Sequence, residues 1–566
     1  MTLPRHTTTV RSLHPIIAFA LLFSLLMSSA GVAFSARSAA HPRAGGTIQI
    51  GIWQEPDFLT WLVGSTSFSN QAIQSSLYDP PLTVMPDGTL KPNMLTAVPT
   101  TANGGISKDG LTYTLHLRKG LKWSDGQPVT MQDYVYTWKT VVNPKTAVVN
   151  NTGWGFIKSI ATPDNYTAIV RLKKLYTPFV NVTLASSYSY WMPQHILTKP
   201  GADLRKTFGR QPVSNGPFRF VSWTSGDNMV VERNPYYWRP VGLDKIIYRF
   251  FADRDTIIAQ LKAGNIDAGY DLNEVAIGQL QGTPNLRVYA KSSANVEIYY
   301  FNFNDPNDLS KPHPLFSDPN VRLALAEAID RFSIANKLLY GKAEPAVNYL
   351  DNSAWSDTKL KPYPYDPANA AKLLDQAGWK MGSDGIRAKN GKRMSLTLTT
   401  TSGNPLRAQV QVLVQDELRK LGVDVKIKNY PPSQLFGSAA SGGIVQSRKF
   451  DIVGYTDAIV GIDPDISFWW TKEGIPTKAN GGTGFNVGGF YDPALEPIAN
   501  AQAQTVDVAK RKALLIQAQD IAYKDVPAIF MYDRLDVFAA NSRIKHVQHT
   551  DDATNAYLWN VWQWSM

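Results

Sequence analysis

The chain has 566 residues, no cysteine, and 57 Lys and Arg against 46 Asp and Glu, a net charge of +11. That length exceeds one ordinary core, so two or three packed units are expected, and 44% hydrophobic with 18% charged residues is globular composition. The missing cysteine excludes disulfides, thiol nucleophiles, thiolate metal sites and a lipid-modified cysteine behind a leader. The basic residues are scattered, with short clusters such as Arg118-Lys119 and Lys510-Arg511-Lys512, which predicts a solvated basic face and no nucleic-acid partner.

In chain order, Arg5 and Arg11 precede an apolar or small run from Pro15 to Ala36. Residues 1–40 are therefore expected to be an export signal, cut after Ser35, Ala36 or Ala40, or an uncleaved membrane anchor. A short strand follows at Gly45 to Gly51, then Trp53 to Asp57 and a polar loop, Gly64 to Ser67. Alternation at Leu111, Tyr113, Leu115 and Leu117, and at Ala168, Val170 and Leu172, predicts two strands. Between them Thr130 caps a helix with Met131, Tyr134, Val135, Trp138 and Val142 on its apolar face. The spacing predicts one long helix over Pro319 to Tyr340, capped by Asp318 and stopped at Gly341. Further helices are expected at Pro367 to Ala377, Pro405 to Leu421 and Val506 to Tyr523, with a strand at Val423, Val425 and Ile427. Alternating helices and strands argue for α/β lobes.

Several segments, taken together and in order, carry a family resemblance: Asp109 to Gly120, Trp123 to Val135, Gly216 to Phe220, Asn234 to Trp238, Leu261 to Asp267 and Val321 to Arg331. The sequence resembles the peptide-type extracellular solute-binding proteins, family 5, the oligopeptide-, dipeptide- and nickel-binding receptors of ABC importers. The resemblance implies an α/β, two-lobed periplasmic-binding-protein-like fold (type II, cluster C-like) with hinged lobes and an inserted subdomain. Lobe I would comprise 41–82, 206–296 and 527–566, the insert 83–205, and lobe II 297–526. It further implies an exported, monomeric, non-catalytic protein without a cofactor, at the cell surface, outside the cell or in the periplasm. Its partners would be a peptide or other small ligand and the permease subunits, and its contact with the membrane would run through the permease or a retained anchor.

Four segments would face the cleft if the resemblance holds. They supply Trp53 with Ser65, Thr66 and Ser67; Trp154, flanked by Gly153 and Gly155, with Tyr190 in the same insert; Tyr455 and Asp457; and Asn302 and Asn304 on a crossing strand. Small hydroxyl side chains leave backbone amides open to a peptide. A Trp between glycines lacks bulky neighbours to pack on. Alternation puts Tyr299, Phe301 and Phe303 on one face of the crossing strand and Tyr300, Asn302 and Asn304 on the other. In the family's peptide receptors a carboxylate a few residues before an Asp-Pro pair holds the peptide ammonium. Here Val460, beside Ala458 and Ile459, occupies that place before Asp463-Pro464, with Asp457 three residues further back as a substitute. Asp463 is expected to cap the helix after Pro464, and Trp469 and Trp470 to fill the core.

Two other readings remain. The 15 Trp and 25 Tyr would also suit an oligosaccharide ligand. A secreted hydrolase is disfavoured, since neither a His-Glu-x-x-His motif nor a Gly-x-Ser-x-Gly elbow occurs. His546 and His549 with Asp551 and Asp552 form a metal-like cluster, read as a surface tail.

Overall fold

The computed structural model describes residues 45–64, 67–458, 463–550 and 556–566. The segment expected to direct export, Ser65, Thr66, Val460, Asp551 and Asp552 lie outside these residues. No helix among the described residues is long and apolar enough to cross a membrane.

Ten strands form one mixed sheet, in the order Asp424–Ile427, Ser395–Thr399, Ile452–Ala458, Leu286–Phe301, Ala528–Asn541, Ala268–Leu272, Thr47–Ile52, Lys245–Phe250, Asn228–Arg233 and Phe218–Thr224. Leu286–Phe301 and Ala528–Asn541 are its long central pair, antiparallel to each other and running from one half of the molecule to the other. Their register slips between Ser292 and Val296 and again between Glu297 and Ile298. Such irregularities bend and twist a strand, which suits a passage between two bodies.

The buried apolar residues divide accordingly. One set gathers Ile48 through Tyr270 with Phe538 through Trp564, and a smaller one packs Trp53, Ile257, Leu261 and Leu272 on the other side of the same strands. Two more lie on opposite faces of the second half, one around Phe301, Leu325, Leu374, Val410 and Leu418, the other around Tyr300, Trp469, Leu495 and Leu515. Both faces of the crossing strand are therefore buried, Tyr299 and Phe301 on one side and Ile298 and Tyr300 on the other, because helices cover both sides of the sheet there.

Residues 112–172 add a three-stranded antiparallel sheet whose middle strand, Thr167–Leu172, pairs Val170 with Tyr113 and Ala168 with Leu115. The helix Met131–Val141 packs with it, started by a capping box in which Thr130 and Asp133 satisfy each other's end of the turn. The helix predicted over Pro319 to Tyr340 is instead two, Pro319–Glu327 and Arg331–Leu338. Asp330 leaves helical geometry and accepts the Ser333 N–H at 2.9 Å, restarting the chain as an N-cap. The break turns Arg331 inward, where its guanidinium donates to the carbonyls of Phe530 and Tyr363.

A buried charge ladder spans the crossing. Arg407 donates to Glu297 at 2.6 and 2.9 Å; Arg534 donates to Glu274 at 2.6 Å and reaches Glu297 at 3.4 Å. Burial alone would raise the Glu297 carboxyl, but the Arg407 charge and hydrogen bonds, then Arg534, hold it below the ordinary carboxylate value. Removing one member leaves the others buried and unmatched, so Glu297→Gln should cost about 3–5 kcal/mol. The check is the urea unfolding midpoint, and an unchanged midpoint would show that the ladder does not hold the crossing together.

Asp533 stands next to Arg534, its N–H donating to Glu344 O at 2.8 Å. Burial, then the Asp351 and Glu344 carboxylates, push its carboxyl up to about 7. A folded value above the unfolded one, about 4, means stability that is full below pH 4 and lost as pH rises through 7. Asp533→Asn, which mimics the neutral acid, should raise the melting temperature over wild type by a margin that grows between pH 4 and 7 and then levels off. A margin independent of pH would refute the assignment.

Candidate functional site

Where the two halves meet, side chains from both line a crevice enclosing about 780 Å³, its open mouth included. Strand Thr47–Ile52 runs parallel to both neighbours, and its carboxyl end delivers Trp53 and Gln54 to the first wall. Ser67 caps the helix Phe68–Leu77, accepting the Asn70 N–H at 3.3 Å, and so brings Phe68 and Gln71 to the same wall.

Asp271 faces the crevice through an irregular stretch of backbone. Pairing of Ala268–Leu272 with the crossing strand slips between Gly269 and Leu272, and Asp271 adopts a left-handed φ of 53°. Asp tolerates that region better than most side chains. Its carboxylate accepts Trp53 Nε1 at 2.7 Å and Arg254 Nη2 at 2.6 Å, while Arg254 Nε donates to the Asp271 carbonyl. The guanidinium lies 4.0 Å over the Trp53 ring. Burial lowers Arg254 to about 10, a shift that Asp271 opposes and that Arg534 and Arg407 reinforce. Among the described residues its buried Nη1 has no hydrogen-bond partner, a situation that ordinarily costs about 1–3 kcal/mol.

The second wall comes from the end of Ile452–Ala458. Tyr455 stacks on Tyr300 at 5.0 Å, and Asp457 Oδ2 accepts the Tyr300 hydroxyl at 2.6 Å and Trp469 Nε1 at 3.3 Å. Thr456 forms the floor: its hydroxyl donates to Glu297 at 2.5 Å and accepts from Arg407 and Arg534, both at 2.9 Å. Phe436 and Phe485 complete the apolar lining.

The halves also touch directly. Tyr176 donates to Asp465 Oδ2 at 2.6 Å, Thr483 donates to Val148 O at 2.7 Å, and Tyr188 meets Phe485 edge-on at 6.2 Å. Gly403, at φ 79°, sits so close to the Ala252 carbonyl that a Cβ there would clash.

Trp53, Ser67, Tyr455 and Asp457 thus share one crevice. Trp154 does not line it. Its ring is fully enclosed, stacked on Trp61 at 6.0 Å and beside Tyr134 at 5.7 Å. The bulky neighbours missing from its own sequence come from distant segments, and Gly153 leaves room for Thr183, whose methyl would lie 2.7 Å from a Cβ. Trp154 Nε1 holds the Tyr188 carbonyl at 3.3 Å, so it supports a crevice residue from behind. Tyr190 is likewise buried, stacked on Tyr78 at 5.6 Å. Asn302 and Asn304 are drawn to Arg448 instead: Asn302 Nδ2 donates to the carbonyls of Arg448 and Phe450, and Arg448 Nη2 donates to Asn304 Oδ1 at 2.6 Å. Asp463 pairs with Arg511; Asp465 is the residue that accepts the Ser467 N–H, at 2.9 Å. Trp469 and Trp470 are buried, and His549 pairs with Asp536 at 2.9 Å. Among the described residues no group of three or more His, Asp or Glu could hold a metal ion.

Gln54, Gln71, Arg254, Asp271, Arg407 and Thr456 escape the sequence reading. Gln54 adjoins Trp53 and could have been found from it, whereas Arg254 and Asp271 meet only through a slipped strand register that no local pattern encodes.

Comparison with known proteins fits this geometry. The family model described as bacterial extracellular solute-binding proteins, family 5 Middle, matches residues 90–477. The oligopeptide-binding protein AppA of Bacillus subtilis is 30% identical over 434 residues, covering 75% of this chain and 76% of that protein. The solved structure of Bacillus subtilis AppA in complex with a nonapeptide superposes with a TM-score of 0.82 at 24% identity, over 93% of this chain and 100% of that one. NikZ from Campylobacter jejuni in complex with Ni(L-His) gives 0.79 at 24% identity, again over 93% and 100%. With a mixed sheet bridging two halves and a crevice between them, the chain belongs to the bacterial extracellular solute-binding proteins of family 5.

Proposed function

We propose that this protein is the extracytoplasmic receptor of an ABC importer, that it captures short peptides between its lobes, and that it hands them unaltered to the permease. The observation that carries this reading is the crevice itself, walled by both halves, with the Asp457 carboxylate on one side and amide and aromatic side chains around it. Tyr300 and Trp469 fix the Asp457 carboxylate in orientation. A carboxylate so placed in a water-poor cleft is the counter-charge for a peptide ammonium. Gln54, Gln71 and Ser67 offer hydrogen bonds to peptide amides, and Phe68, Phe436 and Phe485 accept apolar side chains. The AppA relative, an oligopeptide-binding protein by name, supports the same ligand class. Ligand contacts with both lobes would favour the closed arrangement over an open one, and the slipped register of the crossing strands is where bending would concentrate.

An oligosaccharide fits less well. Trp53 already carries the Arg254 guanidinium on one ring face, and Tyr455 is stacked on Tyr300, so these rings are poor stacking plates for a sugar.

The test is a thermal melt with pooled di- to pentapeptides, pooled oligosaccharides and nickel–histidine in separate wells. A ligand at a hundredfold excess over its Kd stabilises by about 2.7 kcal/mol. The peptide pool should raise the melting temperature and be recovered intact by mass spectrometry. A shift with sugars or nickel–histidine and none with peptides would overturn the reading. Asp457→Asn should weaken peptides with a free amino terminus on the order of 30-fold and leave N-acetylated ones unaffected. Trp154→Leu should lower the melting temperature while changing peptide affinity far less than Asp457→Asn does, since Trp154 reaches the crevice only through the Tyr188 carbonyl.

A further inference from the structure

A second cavity lies in the first half and shares no lining residue with the crevice. It encloses about 1250 Å³, its open mouth included. Three segments build it. The antiparallel pair Leu82–Val84 and Leu90–Pro92 leads directly into Asn93. The turn after strand Asn228–Arg233 supplies Trp238 and Arg239. The carboxyl-terminal tail, tied to the hairpin by Thr550 Oγ1 donating to Val84 O at 3.2 Å, supplies Trp559 and Trp562. Asp79, just past the helix Phe68–Leu77, adds a buried carboxylate that accepts the Tyr237 hydroxyl at 3.2 Å and Trp238 Nε1 at 3.0 Å.

The rings here differ in what already covers them. Trp238 carries the guanidinium of Arg118 at 4.6 Å and that of Arg239 at 4.0 Å, and Arg239 also lies 4.7 Å from the centre of the Trp562 ring. Trp559 is only half-buried. Its Nε1 donates to the Gln548 carbonyl at 3.0 Å, which fixes the ring by its edge, and among the described residues no ring or cation stacks on its faces. Asn93 is buried and donates through Nδ2 to the Pro80 carbonyl at 2.9 Å, while its Oδ1 has no donor among the described residues. A buried acceptor of this kind is ordinarily matched. The Asp79 carboxylate keeps lone-pair capacity beyond the two bonds it takes from the neighbouring rings.

We propose that this cavity is a second binding site and that it takes a saccharide, a pyranose ring laying its apolar C–H face on Trp559 and donating hydroxyl hydrogens to Asn93 Oδ1 and Asp79, with Arg239 donating to a ring hydroxyl. The chemistry narrows by elimination. An anion brings no donor for Asn93 or Asp79. A cationic amine brings donors but meets Arg239 and the exposed Lys91. A hydrocarbon ring stacks on Trp559 and leaves both acceptors unmatched. A sugar combines an apolar face with donors and acceptors around its rim, which is the combination this wall lacks. The same criterion separates the two cavities: Trp53 and Tyr455 in the crevice are covered by Arg254 and Tyr300, whereas the tail leaves Trp559 bare. The sugar site stands apart from whatever the crevice holds, so both can be filled at once.

The experiment is isothermal titration calorimetry of the full chain with tri- to hexasaccharides of glucose and of N-acetylglucosamine, each repeated in the presence of the di- to pentapeptide pool. Co-sedimentation with insoluble cellulose and chitin runs beside it. Wild type should bind at least one of these sugars saturably, with the same affinity whether or not peptide is present. Trp559→Ala should weaken that binding by on the order of tenfold or more while peptide binding stays at its wild-type level. Trp559→Tyr keeps a smaller plate and should fall between. Binding of the soluble sugars assigns the site to a free oligosaccharide, and binding of the insoluble polymers alone assigns it to a glycan surface. No binding in either arm, or undiminished binding by Trp559→Ala, overturns the proposal. Displacement of the sugar by peptide overturns it as well, by placing the sugar in the crevice. Should Trp559→Ala fail to fold, Trp559→Tyr and the peptide competition decide.

Discussion

The molecule depends on how charge is carried across the junction of its halves. Glu297 and Arg534 sit on the two crossing strands, while Arg407 comes from a helix of the second half and Glu274 from just before a helix of the first. All four side chains are nearly or fully buried. Two cations and two anions in alternation offset the desolvation that each would suffer alone, and the geometry forces the four contributing segments to meet at one place. Apolar packing could join the halves as firmly, but it would specify their alignment less sharply. The Thr456 hydroxyl, with one donor and two accepted bonds, completes the ladder and is also the floor of the crevice. The junction and the floor of the crevice are therefore one set of atoms.

That coincidence explains why the walls can be stiff. The aromatic side chains at the crevice are mostly engaged with one another or with arginine: Tyr455 with Tyr300, Tyr349 with Trp469 at 4.7 Å, Tyr188 with Phe485, and Trp53 with Arg254. Behind them the insert packs Trp61, Tyr134, Trp154 and Trp191 into one cluster, with Tyr134 and Trp191 stacked at 5.2 Å. The high aromatic content thus builds the wall around the crevice, and most of those rings are spent on one another.

How much of this is legible in the sequence follows from the range of the interactions. The capping box at Thr130 and Asp133, the proline-led helices at Pro367 and Pro405, and the alternating strands around Tyr113 and Val170 are local, and the structure shows them where the spacing puts them. The family segments identify the architecture because they recur in order over most of the chain. Where a side chain's partner lies far away in sequence, the reading weakens. Asp330 restarts a helix inside a run whose apolar spacing reads as continuous. Trp154 looks unsupported between glycines because Trp61 and Tyr134 arrive from elsewhere. Asn302 and Asn304 look cleft-facing until Arg448 is brought to them. Arg254 and Asp271 give no sign at all, since their meeting needs a left-handed residue within a slipped strand.

The same contrast bears on what the crevice can discriminate. Aromatic faces already covered by neighbours offer bulk and exclusion of water but little preference among apolar side chains. Fixed polar groups behave differently. If the proposed function holds, a ligand group that fails to match Asp457 would leave a buried charge uncompensated, a penalty larger than any gain from an extra methylene in an apolar pocket. Selectivity should therefore rest on the features common to all peptides, their termini and amides, with side chains tolerated broadly. Such recognition would trade one sequence for a chemical class, and the charge ladder beneath the crevice ties the Thr456 floor to both crossing strands through Glu297 and Arg534.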